Sequence, residues 1–431
     1  MNTSSPPPST SEAAIALSIF AIIVSYLFVC QREHVCNAIR SKLARRELAK
    51  LSLADDATAT TYSSSGERAG SGPVVTGIFI HPVKSLRPVP VSQTTFDECG
   101  LVGDRRLMVV RPSYSSNGGA ATHRFLTQRQ APSLATIDAS IPVEVESDRL
   151  EDIDDLIDEK NNEDDKDSTM TTMKSSKTRK TIIRLSHGEG PHRAHVHIDI
   201  TPSTLKSLPI SYRAGLWEDV VNVVDVGDAA ASFVANIIKA DAPNFGDARV
   251  VYVAGGRKIN DRYCPDAARV GLLGSLPETG LTDGFPILVT AQSSLAELNR
   301  RLKIKGDKEL PMSRFRPNIV IGNTSKPFDE DTWKAIRIGT GPNSIILHIS
   351  KGCPRCKESC TDQVTGERFE EPLLTLADFR SLGPDVYFGQ NATLHGDNSS
   401  RKAMVRVGDP VTILTRGDPV FDRPGIVGPK V

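Results

Sequence analysis

The sequence predicts an α+β, strand-dominated protein, with two successive small β domains carrying a few short helices behind an N-terminal segment that belongs to neither. Three observations carry this expectation. Short runs of β-branched residues alternate with smaller or polar ones, beginning at "VVTGIFI" (Val74 to Ile80). Gly and Pro punctuate these runs at spacings that suit a small barrel or sandwich. The 431 residues leave room for two domains of ordinary size once both ends are set aside.

Taken in order, residues 1–12 form a polar, Pro/Ser-rich tail. Ala13 to Cys30 then runs 18 residues without a charge, which at about 1.5 Å per residue spans roughly 27 Å, enough for a thin bilayer. Arg32, Arg40, Lys42, Arg45 and Arg46 follow it. That flank is the reverse of a cleavable signal peptide, and it keeps the C-terminal bulk in the cytosol. Residues 13–30 are therefore expected to be a transmembrane anchor, and 31–72 a basic juxtamembrane segment and linker.

The first domain is expected over 73–240. Pro82, Pro88 and Pro90 exclude a helix and put Lys84 and Ser85 in a loop. "RRLMVVRPS" reads as a strand, and "HRFLTQRQAPSLATIDASI" supplies one or two more. Asp148 to Asp167 breaks the pattern with eleven acidic and three basic residues, so 147–180 is expected to be a disordered acidic insertion. The domain resumes at "TIIRLSHGEG" and "RAHVHIDITP", and ends in a strand and a helix reaching about Lys239, with Asp228 as N-cap.

The second domain is expected over 247–415, from "ARVVYVAGG" onward. Ile287 to Thr290 is a strand, and Ser294 with Glu297 has capping-box spacing, so a helix should begin there. "RFRPNIVIGN", "KAIRIG" and "SIILHIS" follow as strands, "AMVRVGDPVTIL" as a closing hairpin, and 416–431 as a tail.

A net charge of zero and 5% aromatic residues argue against a nucleic-acid binder. Seven cysteines form no even disulfide framework in a long chain, which points to a reducing compartment. Three of them, Cys353, Cys356 and Cys360, fall within "GCPRCKESC". Spacing alone leaves three uses open: a structural zinc site, which lacks a second pair; a redox motif, which lacks a following helix; or a single thiolate ligand to a soft or high-valent metal, with Arg355 and Lys351 lowering the thiol pKa. "HGEGPHRAHVH" holds four histidines, and His195 and His197 alternate on one strand face as zinc ligands do. With no acid or thiol beside them in the sequence, these are read as surface histidines, as are His81 and His123 elsewhere.

"GCPRC…TDQVTGE", with "FRPNIVI" before it and "VGDPV" after, resembles the C-terminal domain of the MOSC superfamily, and "HPVKSLRPVPV…GLVGDRRLMVV" with "WEDVVNVVDVGDAAASFVANII" resembles the β-barrel domain that precedes it. Together these cover about 73–415. With the N-terminal anchor, the chain resembles the mitochondrial amidoxime-reducing branch of molybdenum enzymes, departing from it in the acidic insertion, a longer N-terminus and Cys360. The resemblance implies a MOSC N-terminal β-barrel domain followed by a MOSC β-barrel domain, and a molybdenum–molybdopterin cofactor. It implies Cys356 as metal ligand, with Cys353 second, and cofactor contacts from Lys84, Ser85, Arg105, Arg316, Asn318, Cys353 and Arg355. Arg106 is left to solvent. Free N–H groups at the helix opening near Ser293 and Ser294 would hold an anion such as the phosphate. It further implies reduction of N-hydroxylated substrates with electrons from cytochrome b5 and its NADH-dependent reductase, at the mitochondrial outer membrane in preference to the endoplasmic reticulum. No G-x-G-x-x-G joins a strand to a helix, which agrees with an external donor. The same domains occur in molybdenum cofactor sulfurases, so a cofactor or sulfur carrier without turnover is the rival expectation.

Overall fold

The computed structural model describes residues 72–112, 123–146, 153–162, 179–190, 193–208, 211–253, 255–259, 277–395 and 404–421. The expected anchor at 13–30 and most of the linker lie outside them; no helix among the described residues is long and apolar enough to cross a membrane.

Two strand bodies share the chain. The larger is a nine-stranded sheet. Its centre pairs the Ile287–Ala291 strand in parallel with Ile319–Gly322 and antiparallel with Asp385–Leu394, which in turn pairs with Ile345–Pro354. Every residue of Ile287–Ala291 and Ile319–Gly322 is buried, as the unbroken apolar runs in the sequence require. The smaller body is a closed barrel of Ser211–Leu216, Asp219–Asp225, Arg249–Tyr252, Leu107–Arg111 and His123–Phe125. Its closing pair is parallel, Ala214 opposite His123. Met108 and Val110 fill the barrel with Ala214, Val221 and Val251, while Leu107 and Val109 face a second core with Leu134, Ile183 and Val234. Burial on both faces explains why "LMVV" does not alternate.

The expected division at about 240 is corrected by strand exchange. Val74–Ile80, expected to open the first domain, instead pairs antiparallel with Ile319–Gly322 at the edge of the larger sheet, Ile78 opposite Ile319. Arg249–Tyr252, expected to open the second, closes the barrel against Leu107–Arg111, Val250 opposite Val109. Local alternation marks a strand but carries no information about its distant partner, so these pairings were not legible. For the same reason the expected closing hairpin splits: Met404–Arg406 pairs with Gln93–Asp97, and Val411–Arg416 with Trp333–Ile338.

Further differences are local. The helix Asp228–Ile238 is capped by Gly227, and Asp228 is its first residue, paired with Arg249 at 2.8 Å. Arg106, expected in solvent, is largely buried against Asp97. Part of the expected tail is docked, since Arg416 grips Asp329 with both terminal nitrogens at 2.9 Å. The insertion is not wholly without structure: Ile153–Asn162 is helical, and Ile153, Leu156 and Ile157 pack on Val143, Val145 and Ile182. Apolar residues at i, i+3 and i+4 make one sticky stripe that the surrounding acidic count concealed.

Candidate functional site

The site is built where the loop after Val74–Ile80 crosses from the sheet to the barrel. Backbone hydrogen bonds sew it in place: Lys84 N–H donates to Leu107 (2.8 Å), Leu107 N–H to Pro82 (3.1 Å) and Arg105 N–H to His81 (2.6 Å). From the other body, Phe79 N–H donates to Asn318 and Asn318 N–H to Leu288, both at 2.9 Å. The loop thus carries Lys84 and Ser85 to the place where the chain enters the barrel at Arg105 and the sheet at Arg316.

Four residues of this cleft, Ser85 (φ 69°), Arg105 (47°), Trp217 (57°) and Arg316 (52°), hold left-handed backbone, out of six such non-glycine residues described. Such conformations cost on the order of 1 kcal/mol or more each and persist where surrounding structure imposes them, commonly at functional sites. At Arg105 the N–H bond to the His81 carbonyl helps to impose the conformation. Gly280 belongs to the same frame: a Cβ there would stand 2.9 Å from the Arg105 carbonyl oxygen.

The charged groups interlock across both bodies. Lys84 Nζ meets Asp283 at 2.5 Å, and the Trp217 indole N–H donates to the same oxygen at 2.8 Å. Arg129 stacks over Trp217, 4.5 Å to the ring centroid, and its Nη1 lies 3.8 Å from Cys356 Sγ. On the opposite side, Glu358 accepts from Ser85 at 3.3 Å and stands 3.7 Å from Arg316 Nε. Arg316 Nη1 donates to the Leu86 carbonyl and to Gln363, while its Nη2 is buried with no partner. Arg105 holds Asp104 at 2.5 Å and reaches Asn318 Oδ1 at 3.3 Å. Four cations thus face three carboxylates beside one thiol.

The protonation states follow from burial and these partners. Burial opposes ionisation of Asp283, but Lys84 and Arg129 prevail and hold its carboxyl below the ordinary range; Asp104 is held down likewise by Arg105 and His81. Burial lowers His81 to about 3, with Arg105 and Arg316 adding to it, so the imidazole is neutral. Burial pushes the Cys356 thiol up to about 11; Glu358 adds to this and Arg129 opposes it. The expected lowering of the Cys356 pKa by Arg355 and Lys351 is therefore corrected. Arg355 turns into the sheet, donating to the Phe388 and Phe315 carbonyls, and Lys351 lies over the Phe285 ring. The thiol stays protonated until something stronger than Arg129, such as a metal ion, takes the proton's place.

Of the site residues expected from the sequence, Lys84, Ser85, Arg105, Arg316 and Cys356 come together. Asn318 is close, but its amide is used as a strut, Oδ1 accepting from Leu288 N–H and Nδ2 donating to the Phe79 carbonyl. Cys353 rests its thiol against the Pro354 carbonyl at 3.7 Å, and Cys360 is buried against Glu370. Ser293 and Ser294 lie apart. The helix Gln292–Lys305 starts at the far end of the Ile287–Ala291 strand, whereas Leu288 meets Asn318 at the near end. Ser293 pairs with Thr324, and the Ser294 hydroxyl with both oxygens of Glu330 at 2.8 and 2.9 Å. A helix opening found by its capping signal was correct to within two residues, but nothing in that signal said which end of the sheet it faces.

Glu330 yields a pH prediction. Burial pushes its carboxyl up to about 7 against the pull of Ser294, with Asp331 adding to the rise. Since the folded value exceeds the unfolded one of about 4.5, its contribution is fully present below pH 4.5 and is lost as pH rises through 7. Glu330→Gln is therefore expected to be more stable than wild type at pH 8, on the order of 1–3 kcal/mol, with the gain fading toward pH 5. Melting curves across that range check this; parallel pH profiles for the two proteins would count against it.

The residues missed from the sequence are Arg129, Trp217, Asp283, Glu358, Gln128 and Gln363. Gln128 and Gln363 exchange amide hydrogen bonds at 2.8 and 3.0 Å and so join the barrel to the cysteine loop. Each of the six is a lone polar or aromatic residue in a loop or short turn, and only its meeting with the others marks it.

The model of the MOSC N-terminal beta barrel domain matches residues 72–186, and that of the MOSC domain residues 277–412. Proteins described as molybdenum cofactor sulfurases are similar to parts of the chain. That of Aspergillus terreus is 34% identical over 143 residues, 31% of this chain and 17% of its own. That of Aspergillus niger is 34% identical over 170 residues, 35% and 20%, and that of Botryotinia fuckeliana 35% over 143, 31% and 17%. The chain thus spans a fifth or less of the length of these relatives. The solved structure of YiiM from Geobacillus stearothermophilus aligns with 32% of this chain and 58% of its own at 13% identity, with a TM-score of 0.22, too low to carry an argument.

Proposed function

The chain belongs to the MOSC-domain superfamily, as a MOSC N-terminal β-barrel domain followed by a MOSC domain, and from that premise we propose that it is a molybdenum-cofactor-dependent reductase of N-hydroxylated compounds such as amidoximes. The observation that carries the proposal is the cleft itself, where the Cys356 thiol stands among Arg129, Lys84, Arg105 and Arg316, drawn from both bodies. A soft sulfur donor among cations suits a high-valent metal borne on an anionic, phosphate-carrying pterin. The buried Arg316 Nη2 that lacks an acceptor fits such an anion.

In this reading Cys356 holds the metal, and Lys84, Arg105 and Arg316 grip the pterin and its phosphate. When bound, the cofactor supplies the two-electron couple that breaks the substrate N–O bond. Arg129 and Trp217 wall the thiol on one side. Asp283 and Asp104, held ionised, serve as charge partners for Lys84 and Arg105 rather than as proton donors at neutral pH. The neutral His81 is likewise no proton donor, which leaves the two protons needed to release an amidine and water to solvent.

The finer parts of the proposal rest on the sequence. The apolar run 13–30 anchors the chain, the mitochondrial outer membrane being preferred to the endoplasmic reticulum, and cytochrome b5 with its NADH-dependent reductase supplies electrons. A second reading is favoured by the relatives described as cofactor sulfurases: a protein that carries the cofactor or its sulfur without substrate turnover. NADH consumption with benzamidoxime, cytochrome b5 and its reductase separates the two. The reductase is expected to yield one benzamidine per NADH; molybdenum bound with no benzamidine formed would leave the carrier.

A further inference from the structure

We propose that His195, His197 and Asp154 form a zinc site that fastens the acidic insertion to the neighbouring strand. His195 and His197 alternate along Ala194–Asp199 and so project from one face. Asp154, the second residue of the Ile153–Asn162 helix, stands over that face. His195 Nε2 lies 3.4 Å from Asp154 Oδ2 and His197 Nε2 2.9 Å from Oδ1, and all the donor atoms fall within 4.8 Å of one another. Ligands about 2.0–2.1 Å from a tetrahedral zinc stand roughly 3.3 Å apart, so small side-chain adjustments suffice.

The hydrogen bonds around the cluster point the same way. His195 Nδ1 is 3.3 Å from the Arg193 carbonyl, an acceptor that requires the proton on Nδ1. With that contact fixing the ring, Nε2 faces the Asp154 carboxylate. A carbonyl behind the imidazole is also the usual support of a zinc-bound histidine. Arg184 donates to Asp154 Oδ1 at 3.1 Å, which orients the carboxylate and leaves Oδ2 for the metal. The Arg184 charge is offset by Asp158, which it also binds. Two imidazoles and one carboxylate select zinc over magnesium or calcium. The three side chains are 45%, 28% and 42% exposed, leaving room for water as fourth ligand. The Ile153, Leu156 and Ile157 stripe seats the helix, and the metal locks it.

The test uses the untagged full chain, stripped with chelator and titrated with Zn2+, and with Co2+ as optical probe. One ion per chain is expected, with the comparatively intense visible d–d bands of four-coordinate cobalt and no thiolate charge-transfer band. His195→Gln/His197→Gln, shown folded by circular dichroism, is expected to bind at least about ten-fold more weakly, and Asp154→Asn to weaken binding in the same direction. Zn2+ should also slow proteolysis within the insertion in wild type but not in the double variant. Equal binding by the double variant, a thiolate band placing the ion at the cysteine cluster, or no binding at micromolar free metal would each overturn the proposal.

Discussion

Cys356→Ser is expected to yield a folded chain that retains no molybdenum and forms benzamidine only at background rate. The stability cost should be small, on the order of 1 kcal/mol, because the residue is only partly buried and the thiol's partners, Arg129 and the Glu358 backbone N–H, can also bond a serine hydroxyl. The loss of metal should be complete, because a hydroxyl is a hard, weakly acidic donor where a thiolate is needed. Two neighbours serve as controls. Cys353→Ser alters a thiol whose contact is the Pro354 carbonyl, and Cys360→Ser one turned to Glu370; both are expected to keep metal and activity near wild type. Metal analysis of the three variants beside wild type decides the matter. Molybdenum retained by Cys356→Ser and lost from Cys353→Ser would transfer the ligand role to the other sulfur and undo the reading of the cleft.

How much of this was legible depended on whether a feature was local. The Val74–Ile80 strand, the Pro-bounded loop with Lys84 and Ser85, and the Asp228–Ile238 helix were legible because alternation, Pro and apolar spacing act within a few residues. The sheet that Val74–Ile80 joins was not, because its partner lies some 240 residues away. The same limit governs the site. The cations Lys84, Arg105 and Arg316 entered through motifs, whereas Asp283 and Arg129 became visible only when the fold set one against Lys84 and the other against Cys356. Asp154 is the sharpest case. His195 and His197 were set aside for want of an acid, and that acid stood some forty residues earlier, in a segment whose charge argued against any structure.

Arg314→Ala is expected to destabilise the protein by about 3–5 kcal/mol and to reduce molybdenum retention although it touches neither thiol nor cleft. Arg314 is 2% exposed and lies beneath the cysteine loop. Its guanidinium donates to the Ser359 carbonyl (3.0 Å), the Cys360 carbonyl (3.2 Å), the Asp362 carboxylate (3.1 Å) and the Glu371 carbonyl (3.4 Å). One side chain therefore holds the backbone that follows Cys356. Removing it takes a charge-assisted partner from an acidic group and three carbonyls in a mostly buried setting. Lysine cannot repair this, because a single ammonium does not span acceptors that a planar fork reaches together. Arg314→Lys should recover less than half of the loss in melting temperature. The loop position feeds directly into the site, since Glu358, two residues beyond Cys356, is what ties that loop to Ser85 and Arg316. Denaturant melts with metal analysis on the same samples test both parts. If Arg314→Ala melted as wild type does and held a full complement of metal, the loop would be supported by other contacts and Arg314 would be an incidental buried charge.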